Sequence, residues 1–384
     1  MTQPKPRVLI FSQRNIFSRA LFRCPHLEFE DLIAELDSAE IVAPKANPSS
    51  LRHNIVKRAA YRLPVALNPG IHKVHPKARY DLFLAVCGQP QDLLMADAAL
   101  KWRDVAATSV CLIDEFWITE IGAYRNFLHL LEKFDLVILY YSQTVKPLAE
   151  RIKSTCMFLP PGVDTLLFSP YPDPVARSVD VYSIGRRSEI THQKLRKMAE
   201  DGLFYLHDSM AGGDAINSRE HRALFAKVAK RTRYFIVNPG LIDRPDIRRD
   251  QMEIGNRYFE GAASGTIMVG ERPNNPEFER LFDWRDAVIR LPYDSEDIDI
   301  LISELDSQPE RQERIRRTNV AKSLLHHDWA YRWEAILNAV GLQPMPQLAR
   351  RKERLKQLSL DIWPLPEAAL KKEREVATAC QDLL

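Results

Sequence analysis

Arg257 and Glu260 stand three residues apart in the run Asn256-Arg-Tyr-Phe-Glu-Gly-Ala-Ala-Ser-Gly-Thr-Ile-Met-Val-Gly-Glu271. On a helix that spacing puts a guanidinium and a carboxylate on one face. The small residues Gly261 to Ser264 let another group come close, so the pair is either an ion pair or half of a ligand site. Gly265 ends the helix, and Thr266 to Val269 reads as a strand. Several other chemistries are excluded by their missing motifs. There is no GxxxxGK[ST] phosphate loop, no GxGxxG after the first strand, no GxSxG elbow and no HExxH. His326-His327, and His72 with His75, lack the spacing of metal ligands, so no metal is expected.

The elements that must position these groups alternate. Apolar strand patterns at Arg7–Ser12, Glu40–Ala43, Asp81–Cys87, Thr108–Ile113, Asp135–Tyr141 and Cys156–Leu159 are separated by helical periodicity. Helices are expected over Leu27–Leu36 and Arg52–Arg62, then in a long stretch that follows Trp117 and runs to Lys133. A further helix is expected from Ser142, its N-cap, to Lys153. Prolines crowd residues 160–174 and mark a linker, after which the strand–helix rhythm restarts. The pattern predicts an α/β chain of two Rossmann-like domains facing a cleft: 1–160, a linker 161–178, 179–342, and a helical tail 343–384.

The chain has 384 residues, 45% hydrophobic and 27% charged, enough for two cores. A net charge of +3 argues against a partner held by bulk charge, so no nucleic acid is expected. Five scattered cysteines without a CxxC pair, no apolar leader and no membrane-length apolar run fit a reduced, cytoplasmic protein. Two basic segments stand out. Residues 41–80 contain no acid, and Met345 to Leu360 carries Arg350, Arg351, Lys352, Arg354 and Lys356. Each reads as a solvated or packed face, or as a landing site for an anionic acceptor or a peripheral contact with an anionic membrane.

Four ordered stretches carry a resemblance. Pro160-Pro-Gly-Val-Asp-Thr-Leu-Leu-Phe-Ser-Pro170 resembles the linker of group-1 glycosyltransferases with the GT-B fold. Val179-Asp-Val-Tyr-Ser-Ile-Gly-Arg-Arg187 is similar to the first strand and donor-phosphate loop of their second domain. Asn256 to Glu271 resembles their Arg-x-x-Glu-x-x-x-x-Gly donor helix. His327-Asp-Trp-Ala-Tyr-Arg-Trp333 is similar to the ending of the spore-maturation-type branch.

The resemblance implies transfer of a hexosyl group from a nucleotide-diphosphate sugar to an acceptor hydroxyl, in polysaccharide or glycoconjugate synthesis, with no cofactor besides the donor. It implies a donor site of Gly185, Arg186, Arg187, Asn238, Asn256, Arg257, Glu260 and Gly265, with Glu260 on the ribose. The chemistry agrees: guanidinium forks match phosphate oxygens, and a helix N-terminus offers free N–H groups to them. On the acceptor side, Asp114 and Glu115 end a strand at the cleft and are the catalytic candidates; Asp114 is alternatively a helix N-cap. The family's second donor-helix acid falls here on Met252, with Glu253 one step out of register. A catalytically silent scaffold, a nucleotide-binding regulator and a nucleotide-sugar epimerase share this architecture and stay open as alternatives.

Overall fold

The computed structural model describes residues 6–16, 20–46, 50–64, 67–76, 78–207 and 217–362. Among them, two parallel sheets form in series. The first contains β1 (Val8–Phe11), β2 (Ala39–Val42), β3 (Tyr80–Cys87), β4 (Ala106–Ile113), β5 (Leu136–Leu139) and β6 (Thr155–Phe158), in the order β2-β1-β3-β4-β5-β6. The second contains β7 (Val179–Ser183), β8 (Tyr205–His207), β9 (Thr232–Val237), β10 (Ile267–Gly270) and β11 (Ile289–Arg290), in the order β11-β10-β9-β7-β8. The first sheet is apolar on both faces because both are covered: Val8 and Ile10 point into one core, Leu9 and Phe11 into another.

The helices that matter for the site are α1 (Cys24–Leu36), α2 (Ser142–Ala149), α3 (Ser218–Lys230), α4 (Asn256–Ala263), α5 (Pro309–His326), α6 (Trp329–Ala339) and α7 (Pro346–Ile362). The last two cross back. Trp329, Trp333, Ile336, Leu337, Leu348 and Leu355 share a core with Val8, Leu82 and Val110 of the first sheet. Polar bonds fix the crossing: Trp333 Nε1 donates to Asp37 at 3.1 Å, and Arg332 donates from Nε to the Pro161 carbonyl at 3.1 Å and from Nη1 to His326 O at 2.8 Å. The stretch expected as a tail therefore begins by completing the first domain's core. Its final part, 363–384, lies outside the described residues. Within the basic run, Arg351 binds Asp164 and Asp328, and Lys352 binds Glu334, so these two cations face protein.

Two seams join the domains. At one, Glu28 of α1 accepts from Arg222 Nε of α3 (2.7 Å), from Trp329 Nε1 (2.8 Å) and from the Asp164 backbone N–H (2.9 Å). At the other, the segment before α4 docks on the first domain. Ile118 N–H donates to Gln251 at 2.9 Å, Thr119 Oγ1 donates to the Ile247 carbonyl at 2.7 Å, and Glu253 accepts from the Ser142 and Gln143 N–H groups, both at 3.1 Å.

This second seam corrects two expectations. The long helix expected between Trp117 and Lys133 does not form; short 3-10 turns at Ile118–Glu120 and Arg125–Phe127 lead into a single helical turn at Leu128–Leu131. Phe116, Trp117, Ile121, Tyr124 and Phe127 are all buried and share one side of a helical wheel, which is why the stretch reads as a helix; the short turns bury the same residues, and Gln251 accepts from Ile118 N–H at their start. Ser142 is the first helical residue rather than the N-cap, and the carboxylate that caps α2 comes from Glu253 of the other domain.

Candidate active site

In each sheet the strand order reverses once, between β1 and β3 in the first and between β7 and β9 in the second. Loops leaving the carboxyl ends of strands at such a reversal form a crevice. Here loops from both sheets meet in one cavity of about 630 Å³. Gly88 and Gln89 follow β3, Asp114 and Glu115 follow β4, and Tyr141 follows β5. Opposite them, Gly185 and Arg186 follow β7 and Asn238 to Leu241 follow β9.

The second-domain wall suits an anion. Gly185 has φ +87°, a turn conformation that a side chain rarely adopts, and it leads straight to exposed Arg186. Arg186 Nη1 lies 3.1 and 3.0 Å from the two oxygens of Asp243. The N-terminus of α4 opens on the cavity through Gly255, Asn256 and Arg257, and its N-cap Gly255 supplies no side-chain cap. Asn256 Oδ1 has no hydrogen-bond partner among the described residues. Asn238 also lines the cavity, with Oδ1 accepting from Glu271 N–H at 3.3 Å.

Three expected donor residues stand elsewhere. Glu260 is fully buried, and its oxygens bind Arg222 and Arg257. Burial pushes its acidity down, but the two guanidiniums outweigh that and hold the carboxyl below its ordinary pKa. Its oxygens face Arg222 and Arg257, and it does not line the cavity. Arg187 points to a separate, small cavity beside Ser188, His192 and Tyr205. Gly265, at φ +64°, lies past the far end of α4 and packs near Val320 and Arg316, where it terminates the helix. Glu253, the candidate to replace the acid missing at Met252, is buried in the inter-domain seam and bound by Ser142, Gln143, Gln251 and Asn275.

The first-domain wall carries carboxylates. No helix begins at Asp114, so it caps none; its Oδ2 lies 2.7 Å from His26 Nε2 of α1. Burial, with the charges of Asp114 and Glu120, raises the pKa of Glu115, against an opposing pull from Arg186 across the cavity. Arg23 lies against Gly88, pairs with Asp92 at 2.7 Å and is itself buried.

His26, Glu28, Arg23 and Arg222 escaped notice in the sequence. His26 and Glu28 occupy an ordinary amphipathic helix, and Arg222 belongs to a charged helix, Ser218–Lys230, whose polarity looks like a solvated face. Only contacts between distant segments reveal them. Among the described residues, no cluster of three His, Cys, Asp or Glu is placed to hold a metal ion, and no helix is long and apolar enough to cross a membrane.

Comparison with known proteins bears on this geometry. Residues 186–338 match the family model described as glycosyl transferase-like. No curated protein matches the chain. Among solved structures, an alpha-glucosyltransferase in complex with UDP-glucose and DNA containing an abasic site superposes with a TM-score of 0.51 at 12% identity, covering 88% of this chain and 100% of that one. An alpha-glucosyltransferase in complex with UDP gives 0.50 at 11% identity, over 87% and 99% of the two chains. At such identities the likeness is one of fold. The cavity is thus the cleft of a GT-B fold, and the part of the chain that matches the glycosyl transferase-like model, residues 186–338, carries the second sheet's side of it.

Proposed function

We propose that this protein is a glycosyltransferase that moves a sugar from a nucleotide-diphosphate donor to an acceptor hydroxyl. The observation that carries the reading is the polarity of the cavity between the two sheets: an uncapped helix N-terminus with Arg186 and Arg257 on one side faces Asp114 and Glu115 on the other. Cleavage of the sugar–phosphate bond leaves negative charge on the diphosphate, and the first side stabilises it with charge-assisted bonds and backbone dipoles. Those groups do what a bound cation would do, so transfer proceeds without an added metal. The second side receives the acceptor. Three carboxylates, Asp92, Asp114 and Glu115, with one guanidinium, Arg23, suit a neutral polyhydroxylated acceptor better than a polyanion. The His327 to Arg332 ending supports the narrower placement in the spore-maturation-type branch.

The neighbours in fold that hold UDP make uridine the first base to try. Calorimetry with UDP, GDP, ADP and dTDP, followed by a nucleotide-release assay with the corresponding sugars, tests the reading. Binding of one diphosphate, weakened about tenfold or more by Arg257→Ala and unchanged by EDTA, is expected. Absence of binding by every diphosphate sinks it.

A further inference from the structure

His26 is a polar residue inside a core helix. It is 2% exposed, and one ring nitrogen, Nε2, meets Asp114 Oδ2 at 2.7 Å. The other, Nδ1, has no hydrogen-bond partner among the described residues. Tyr140 stands behind the ring, with centroids 6.5 Å apart, and its buried hydroxyl is also unbonded there. Asp114 itself is 23% exposed at its side chain and lines the cavity. A buried imidazole with one partner on a cavity carboxylate and none on its other side has a preferred hydrogen placement. A hydrogen on Nδ1 would be a donor buried without an acceptor, whereas a hydrogen on Nε2 is bonded. The ring therefore donates to Oδ2 and fixes the carboxylate's plane, which leaves Oδ1 for a substrate.

Building on the glycosyltransferase reading, we propose that His26 is a positioning residue: it holds Asp114 so that Oδ1 accepts the hydrogen bond of the incoming hydroxyl and sets its line of approach to the anomeric carbon. Glu115, next in the chain, has no side-chain hydrogen bond of this kind among the described residues. The assignment divides the carboxylate pair into a fixed member that aims the nucleophile and a free member beside it. Misaiming a reacting oxygen by an ångström is costly to rate and nearly silent in donor affinity.

The test uses the full chain with water as the acceptor, reading nucleotide release from a panel of UDP-, GDP- and dTDP-sugars. His26→Leu is expected to lower kcat by about tenfold to a hundredfold, with donor KM and diphosphate Kd within about twofold of wild type. His26→Gln, whose amide can donate to Asp114, recovers most of the lost rate. A His26→Leu enzyme with wild-type kcat, or Leu and Gln variants equally impaired, overturns the proposal. Imidazole 15N spectra of the wild type give a second measure that needs no turnover. A hydrogen on Nε2, with a resonance that moves in Asp114→Asn, is expected; a hydrogen found on Nδ1 alone overturns the assignment. A wild type that binds no diphosphate brings down the donor reading instead. Normal turnover with a silent His26→Leu removes this inference alone.

Discussion

Two glutamates on one short stretch, Glu253 and Glu260, are buried to the same degree, 1% and 0% exposed, and behave oppositely. Glu260 is met by two guanidiniums, which hold its pKa below the ordinary value despite burial. Glu253 is met only by neutral donors: backbone N–H groups of Ser142 and Gln143 and the amides of Gln251 and Asn275. Burial wins there, and its pKa is pushed up to about 7. The neutral donors pull the Glu253 carboxyl down but do not offset its burial, whereas the two guanidiniums around Glu260 do. The pair of seams thus differs in kind. The Glu28–Arg222–Glu260–Arg257 array runs from the first domain to the cavity wall as alternating charge, while the Glu253 seam is a helix cap shared between domains.

The largest break in this contrast is Arg222→Met. It leaves Glu28 and Glu260 buried with one cation fewer between them, and is expected to cost about 3–5 kcal/mol, read as a lower urea midpoint. Glu260→Gln keeps the shape and is expected to cost about 1.5–3 kcal/mol. It also weakens diphosphate binding, because Arg257 loses its anchor; unchanged binding in calorimetry would show that Arg257 needs none. Glu253→Gln is smaller, about 1 kcal/mol or less at pH 5, because the amide resembles the protonated acid.

The pH dependence of that last variant carries the sharper information. With the folded value near 7 and the usual value at 4.5, the folded state holds the proton more tightly. The contribution therefore favours folding below about pH 4.5 and is lost as pH rises towards 7. Glu30, raised to about 7 by burial, has the same sign, so Glu253→Gln should flatten part of the slope and leave the rest. Melting curves across pH 4.5 to 8 decide it; an unchanged slope means the amide donors keep Glu253 ionised. Arg187→Ala, outside both seams and the main cavity, is expected to change stability by no more than about 0.5 kcal/mol and diphosphate binding hardly at all.

The sequence made the strands legible, because parallel strands covered on both faces read as apolar runs. It made the Arg257–Glu260 pair legible, because residues three apart on a helix must meet. The direction in which that pair works was not legible. Glu260's second partner, Arg222, belongs to another helix, and a carboxylate offered to a ribose cannot be told in sequence from one neutralised by a distant cation. Glu253 was noticed for its register, yet its partners Ser142 and Gln143 come from the other domain. The stretch up to Lys133 carries helical spacing of its apolar residues, yet it buries them through short turns, and the acceptor of its Ile118 N–H, Gln251, comes from beyond the linker.

The return of α6 and α7 to the first sheet has a consequence for synthesis. A ribosome delivers the first sheet's strands early, but Trp329, Trp333, Leu348 and Leu355, which cover one face of that sheet, emerge only after the second sheet is complete. Until then the nascent chain carries an uncovered apolar surface, the kind of surface that chaperones bind and that drives aggregation. The first domain is therefore a poor unit for separate expression, and a chain stopped at the end of α5 should precipitate even though both of its sheets are present.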